Sequence, residues 1–174
     1  GKGFAIGSAA FAAIGLLSAF LLSIQQHMPA GEILNLSLSE PHVLAGMLIG
    51  GMMPFFFSSM LFRAVGDCAD LMIAEVRRQF AEIPGLREGA PGVMPDSTRC
   101  VDIATKGAIH GMLLPGLIAI AAPVFVGIML TPSGLAGFLV GAIVTGVMLG
   151  IQTANSGGAM DNAKKYIEEG NYGG

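Results

Sequence analysis

The sequence predicts an all-α fold, a polytopic transmembrane helix bundle with four membrane helices, and three observations carry that reading. Of 174 residues, 53% are apolar and only 12% charged, with a mean hydropathy of +0.69. A water-covered globular surface needs roughly 25% charged residues, so much of this surface must face lipid. Three stretches, 3–31, 41–62 and 107–160, contain no Asp, Glu, Lys or Arg. Each exceeds the roughly 20 apolar residues that cross a hydrocarbon core of about 30 Å. Finally, all nine Lys and Arg residues fall in segments that a four-crossing order puts on one side. Such an excess marks cytoplasmic loops.

Taken in order, the first helix is expected over about 3–25, with its apolar body from Gly3 to Ile24. The second is expected over about 42–83. It crosses at 41–62 and then projects into the cytosol, because Leu71, Met72, Val76, Phe80 and Ile83 keep a helical spacing. Asp67, Asp70, Glu75, Arg77, Arg78 and Glu82 decorate this extension, mostly as solvated positions and as i,i+3 or i,i+4 pairs. Ile83-Pro84-Gly85 ends the helix, since proline disfavours helix in the residue before it and glycine completes the turn. A cytoplasmic loop over about 84–96 follows, extended by Pro91 and Pro95, and Asp96 or Ser97 caps the third helix, 97–130. Thr131-Pro132-Ser133-Gly134 divides the last apolar run by a turn, and the fourth helix covers 134–169.

The cations assign a side to this topology. Lys2 precedes the first helix, six cations from Arg63 to Lys106 lie between the second and third, and Lys164 and Lys165 follow the fourth crossing. The outer loops 25–42 and 131–134 hold none. Both ends and the 64–106 connection are therefore expected in the cytoplasm of an integral, multi-pass membrane protein, in a prokaryote that of the cell membrane. The opening Gly-Lys-Gly and the closing Asn-Tyr-Gly-Gly suggest a fragment, so residues 1–174 are read as a partial transmembrane domain. Glycines recur at four-residue spacing (3/7, 46/50, 107/111, 137/141 and 146/150), which suits closely packed membrane helices.

A net charge of −3 argues against nucleic acid as a partner. Cys68 and Cys100 form no CxxC pair and are read as inert thiols. His110, near the inner end of the third helix, is a weak candidate for a proton relay, and His27 and His42 flank an outer loop as solvated residues.

The segment with chemical content is Asn155 to Glu168. On a helix, Asp161, Lys164 and Lys165 stand at i, i+3 and i+4, placing one carboxylate beside two ammonium groups. This pattern offers a hard oxygen ligand for a divalent cation next to point charges for phosphate oxygens. Gly157 and Gly158 clear space before it. The same spacing equally suits an exposed Asp161–Lys165 pair with Lys164 anchoring the membrane interface. One carboxylate does not hold Mg²⁺ alone, so any metal site needs ligands from elsewhere.

Four blocks narrow this choice: Gly1-Lys2-Gly3-Phe4-Ala5-Ile6-Gly7-Ser8-Ala9-Ala10; Met53-Pro54-Phe55-Phe56-Phe57-Ser58-Ser59-Met60; Glu75-Val76-Arg77-Arg78-Gln79-Phe80 with Ile83-Pro84-Gly85-Leu86; and Gly157-Gly158-Ala159-Met160-Asp161-Asn162-Ala163-Lys164-Lys165-Tyr166-Ile167-Glu168. In order and spacing they resemble the membrane-integral, ion-pumping inorganic pyrophosphatases across essentially the whole chain. The resemblance implies a homodimeric enzyme of roughly sixteen membrane helices that hydrolyses Mg-bound pyrophosphate and moves H⁺ or Na⁺ out of the cytosol. It implies that this chain is a four-helix segment of the C-terminal part, inactive by itself. By motif, Asp161 becomes a catalytic and metal-holding residue, and Lys164 and Lys165 contact pyrophosphate. Asn162 is the weaker neighbour on another helical face. The resemblance also implies a K⁺-dependence region at Gly1 and Lys2, and Gly1 leans towards K⁺ dependence. Met160, Arg63 and Asp67 depart from the family pattern and are read as structural. The competing reading is a non-hydrolytic secondary transporter or membrane scaffold segment, favoured by the absence of charge inside any crossing.

Overall fold

The computed structural model describes residues 1–29 and 32–173. Three long helices make up most of it: α1 (Lys2–His27), α2 (Pro41–Glu82) and α3 (Ser97–Glu168), followed by a short 3-10 turn over Asn171–Gly173. No strand occurs among the described residues. All three helices are long and apolar enough to cross a membrane. Large apolar side chains such as Phe4, Phe11, Leu117 and Ile120 are mostly exposed, while few residues are buried. That inversion of the soluble pattern suits a surface whose solvent is lipid or other helices.

Local chemistry accounts for the helix ends. The Gly1 carbonyl accepts the Ala5 N–H at 3.0 Å and opens α1. At its other end the His27 Nδ1–H donates to the Ser23 carbonyl at 2.7 Å, and Met28 leaves in extended conformation. The turn after α2 rests on Gly85, whose φ of +81° is disfavoured for residues with a Cβ, and the Ala90 N–H closes it onto the Gly85 carbonyl at 2.9 Å. Of the two expected caps for α3, Asp96 is the one used: its Oδ1 accepts the Arg99 N–H at 3.1 Å.

The turn expected at 131–134 takes the form of a break inside α3, where Thr131 adopts φ 78°, ψ 165°. A straight helix would separate residues 127 and 135 by about 12 Å along its axis. Instead, a Cβ on Gly127 would lie 3.1 Å from the Leu135 side chain. The axis therefore turns sharply at Thr131.

The chain forms two compact units, Gly1–Phe55 with Pro123–Gly174, and Phe56–Ala122. In the first, the early part of α2 runs alongside the late part of α3 with glycines at the seam. A Cβ on Gly46 would lie 2.9 Å from the Gly134 carbonyl carbon, and one on Gly50 only 2.6 Å from that of Phe138. From the other side, Cβ atoms on Gly137 and Gly141 would meet the α2 backbone at Val43 and Met47. Backbones touch here because side chains are missing, which is the packing that the 46/50 and 137/141 spacings predict. Val43, Met53, Val126, Ala136 and Phe138 form the small buried core. The N-terminal part of α1 lies along α3 in the opposite direction, Ile6 beside Gly150 and Ala13 towards Leu139 and Ala142.

In the second unit the later part of α2 packs antiparallel to the start of α3. Ala64 meets Gly111 and Cys68 meets Gly107. Polar residues, not apolar ones, lie deepest: Glu75 is 6% exposed and Gln79 3%, whereas Leu71, Val76 and Phe80 face outwards. The expectation of a solvated Glu75 is corrected here.

Candidate functional site

The Asn155–Glu168 segment forms the end of α3, and its helical spacing brings Asp161 and Lys165 together. Lys165 Nζ donates to Asp161 Oδ2 at 2.7 Å. Lys164 turns to Glu168 instead, Nζ to Oε1 at 3.5 Å. All four side chains are exposed, and nothing lies within 4 Å of a Cβ built on Gly157 or Gly158. Exposed pairs of this kind contribute about 0–1 kcal/mol, so they are easily exchanged for contacts with an anion or a cation.

A hard carboxylate oxygen at Asp161 suits Mg²⁺ in kind but not in number. Among the described residues no group of three His, Cys, Asp or Glu side chains is placed to share an ion.

The Gly-Lys-Gly-Phe segment lies at the same end of the first unit as this motif. A groove of about 270 Å³ is lined by Gly3, Ile6 and Gly7 of α1 and by Ala154 and Asn155 of α3, nearly two turns before Asp161. Gly1 is exposed, and the side chain of Lys2 lies outside the described part of the structure.

A second polar cluster escaped the sequence reading as a unit. Gln79 Nε2 donates to the Asp96 carbonyl at 3.0 Å while the Asp96 N–H donates to Gln79 Oε1 at 2.9 Å, so one amide satisfies both backbone groups of the residue that caps α3. The same Nε2 donates to Glu75 Oε1 at 2.8 Å. Arg78 grips Glu75 with two nitrogens, Nε at 3.0 Å and Nη2 at 2.7 Å, and also reaches Glu82. The Arg78 guanidinium, then the Gln79 amide, hold the Glu75 carboxyl down to about 2, while its two acidic partners raise the Arg78 pKa. The ion pairs were legible as i,i+3 and i,i+4 spacing. The partner of Gln79 lies 17 residues away in sequence, beyond the reach of any helical period.

Long apolar helices, exposed apolar side chains and glycine-seamed packing define an integral membrane protein of the helical class. The family model described as inorganic H⁺ pyrophosphatase matches residues 1–174. The chain belongs to that family. Its relatives include a K⁺-insensitive pyrophosphate-energized proton pump of Methanosarcina mazei, 47% identical over 99% of this chain and 25% of the relative. A proton pump of the same description from Caldanaerobacter subterraneus is also 47% identical, over 99% of this chain and 24% of its own length. A K⁺-stimulated pyrophosphate-energized sodium pump of Thermotoga maritima is 44% identical over 98% of this chain and 24% of the relative. The chain thus spans about a quarter of the length of the curated relatives it matches.

Proposed function

We propose that this chain is part of a pump that couples hydrolysis of Mg-bound pyrophosphate to movement of H⁺ or Na⁺ out of the cytosol. The observation that carries this reading is the family match over the whole chain, together with the Asp161–Lys165 motif presented, exposed, at the end of α3. In the reaction a water oxygen attacks phosphorus, the bridging P–O bond breaks, and two phosphates leave. Lys164 and Lys165 contact pyrophosphate oxygens and offset their charge. Asp161, freed from its pair with Lys165, would hold Mg²⁺ together with further ligands, and the ion would supply positive charge to the phosphate oxygens. K⁺ acts near Gly1 and Lys2 in the dependent class.

The same reading places four crossings in a parent of roughly sixteen helices that works as a homodimer. A straight 72-residue α3 would extend about 108 Å, far beyond a hydrocarbon core of about 30 Å, which supports two crossings divided at Thr131. Distribution of all nine cations supports cytoplasmic ends and a cytoplasmic 64–106 connection.

The test is phosphate release from pyrophosphate by membranes containing the full-length protein, with Mg²⁺, K⁺ and Na⁺ varied. Release requiring Mg²⁺ is expected, together with its loss in Asp161→Ala. Full Mg²⁺-dependent activity in that variant would overturn the role of Asp161. Ion flux without hydrolysis by folded protein would overturn the pump.

A further inference from the structure

Within the second unit, a groove of about 520 Å³ runs beside the line where α2 meets α3. Its walls are apolar, with Ala64, Leu71 and Ile103, and its polar lining is Asp67, Lys106 and His110. Gly107 and Gly111 let the helices close to contact, since a Cβ on Gly111 would lie 2.7 Å from that of Ala64. None of these polar side chains belongs to the pyrophosphate motif.

Three observations restrict what the groove can take. First, its depth is defined: Arg63 and Lys106 are the first charged residues beyond the charge-free stretches 41–62 and 107–160, so the groove lies at headgroup level. Second, it carries both signs of charge. Asp67 has no ion-pair partner among the described residues, whereas Lys106 Nζ spends one of its three donors on Asp102 at 2.8 Å and keeps two. Third, the His110 Nδ1–H donates to the Lys106 carbonyl at 2.9 Å, which leaves Nε2 as the open ring nitrogen.

We propose that this groove binds the headgroup of an aminophospholipid, with the primary ammonium on Asp67 and the phosphate on Lys106. A free phosphate would meet the Asp67 carboxylate with no charge to offset it. An anionic lipid without an amine leaves Asp67 unpaired, and a quaternary amine has no N–H to give it. Only a zwitterion with N–H donors satisfies both ends, and its acyl chains leave from the groove towards the charge-free stretches. This inference rests on the membrane reading and not on the hydrolytic one.

The full-length protein, delipidated in detergent, is offered equimolar phosphatidylethanolamine and phosphatidylcholine, and bound lipid is counted by native mass spectrometry. The two lipids differ at the nitrogen, so the comparison reports the Asp67 contact. A preference of about tenfold for phosphatidylethanolamine is expected, the size one charge-assisted hydrogen bond confers. Asp67→Asn should abolish that preference, Lys106→Gln should weaken both lipids, and inorganic phosphate should displace neither. Equal binding of the two lipids by the native protein overturns the proposal. So does a preference that survives in Asp67→Asn, which would place the lipid amine elsewhere. Should Asp67→Asn not fold, Asp67→Ser removes the same charge and decides.

Discussion

Gly50→Ala is the sharpest probe of how the first unit is held together. A methyl group there would lie 2.6 Å from the Phe138 carbonyl carbon and 2.8 Å from its Cα, both of them backbone atoms that no rotamer change can move. Carbon atoms pack comfortably from about 3.5 Å, and the Phe138 carbonyl oxygen lies nearer still, so α2 and α3 must separate by at least about 0.9 Å along the seam. That separation loosens the neighbouring contacts of Gly46, Gly137 and Gly141 as well. Overpacking of this kind costs about 1–3 kcal/mol. Alanine returns about 0.5–1 kcal/mol through its better helix propensity, and because the clash is with backbone the cost sits at the upper end of its range, leaving a net loss of about 2 kcal/mol. Gly146→Ala is the internal control, because its Cβ would meet Pro54 Cγ at an ordinary 3.6 Å. The assay is the midpoint of detergent unfolding of the full-length protein, followed by a fluorophore in α2. Gly50→Ala should lower it while Gly146→Ala leaves it level or raises it. Equal behaviour of the two variants would refute backbone contact as the source of stability. The double variant Gly46→Ala/Gly50→Ala should cost less than the sum, since one separation relieves both clashes.

Other expectations follow from the polar clusters. Gln79→Ala hands the N–H and carbonyl of the exposed Asp96 to water and should cost about 0.5–1.5 kcal/mol, seen as faster hydrogen exchange at Asp96 and in the first turn of α3. Glu75 is held near 2, below its usual 4.5, so its contribution is complete above about 4.5 and is lost progressively as pH falls from there through about 2. Unfolding midpoints of native protein and Glu75→Gln should therefore run parallel from neutral pH to about 4.5 and converge below it. Divergence that grows on acidification would contradict the sign. Asp161→Ala should leave the unfolding midpoint within about 1 kcal/mol of native while abolishing phosphate release, because an exposed pair adds little to stability. A large loss of stability would recast Asp161 as structural.

Membrane character was open to the sequence because it depends on composition summed over a window: 41–62 and 107–160 lack charge wherever the chain goes. The candidate motif was equally legible, since Asp161 and Lys165 are neighbours through helical period alone, and the structure pairs them at 2.7 Å. Lys164 was less so, because Glu168 competes for it one turn further on. The extension of α2 misled the hydrophobic pattern. Leu71, Val76 and Phe80 repeat with a helical period, yet the face turned to α3 carries Glu75 and Gln79. Apolar periodicity there did not say which face meets α3, because that face is filled by polar groups that satisfy one another: Glu75 on Arg78 and Gln79 on the Asp96 backbone.

Taken alone, then, the sequence determined the helical class, the charge-free stretches, the break near Thr131 and the acid–base content of the Asn155–Glu168 segment. Each is a property of neighbours along the chain, set by backbone sterics, helical period or summed hydropathy. Tertiary structure alone decided which glycines touch backbone, that Gln79 clamps Asp96, and that Asp67, Lys106 and His110 line one groove. Those pairings join residues 17 or more positions apart, well beyond one helical period. They depend on the register in which two helices meet, and that register is chosen by close packing over a whole seam rather than by any residue in it.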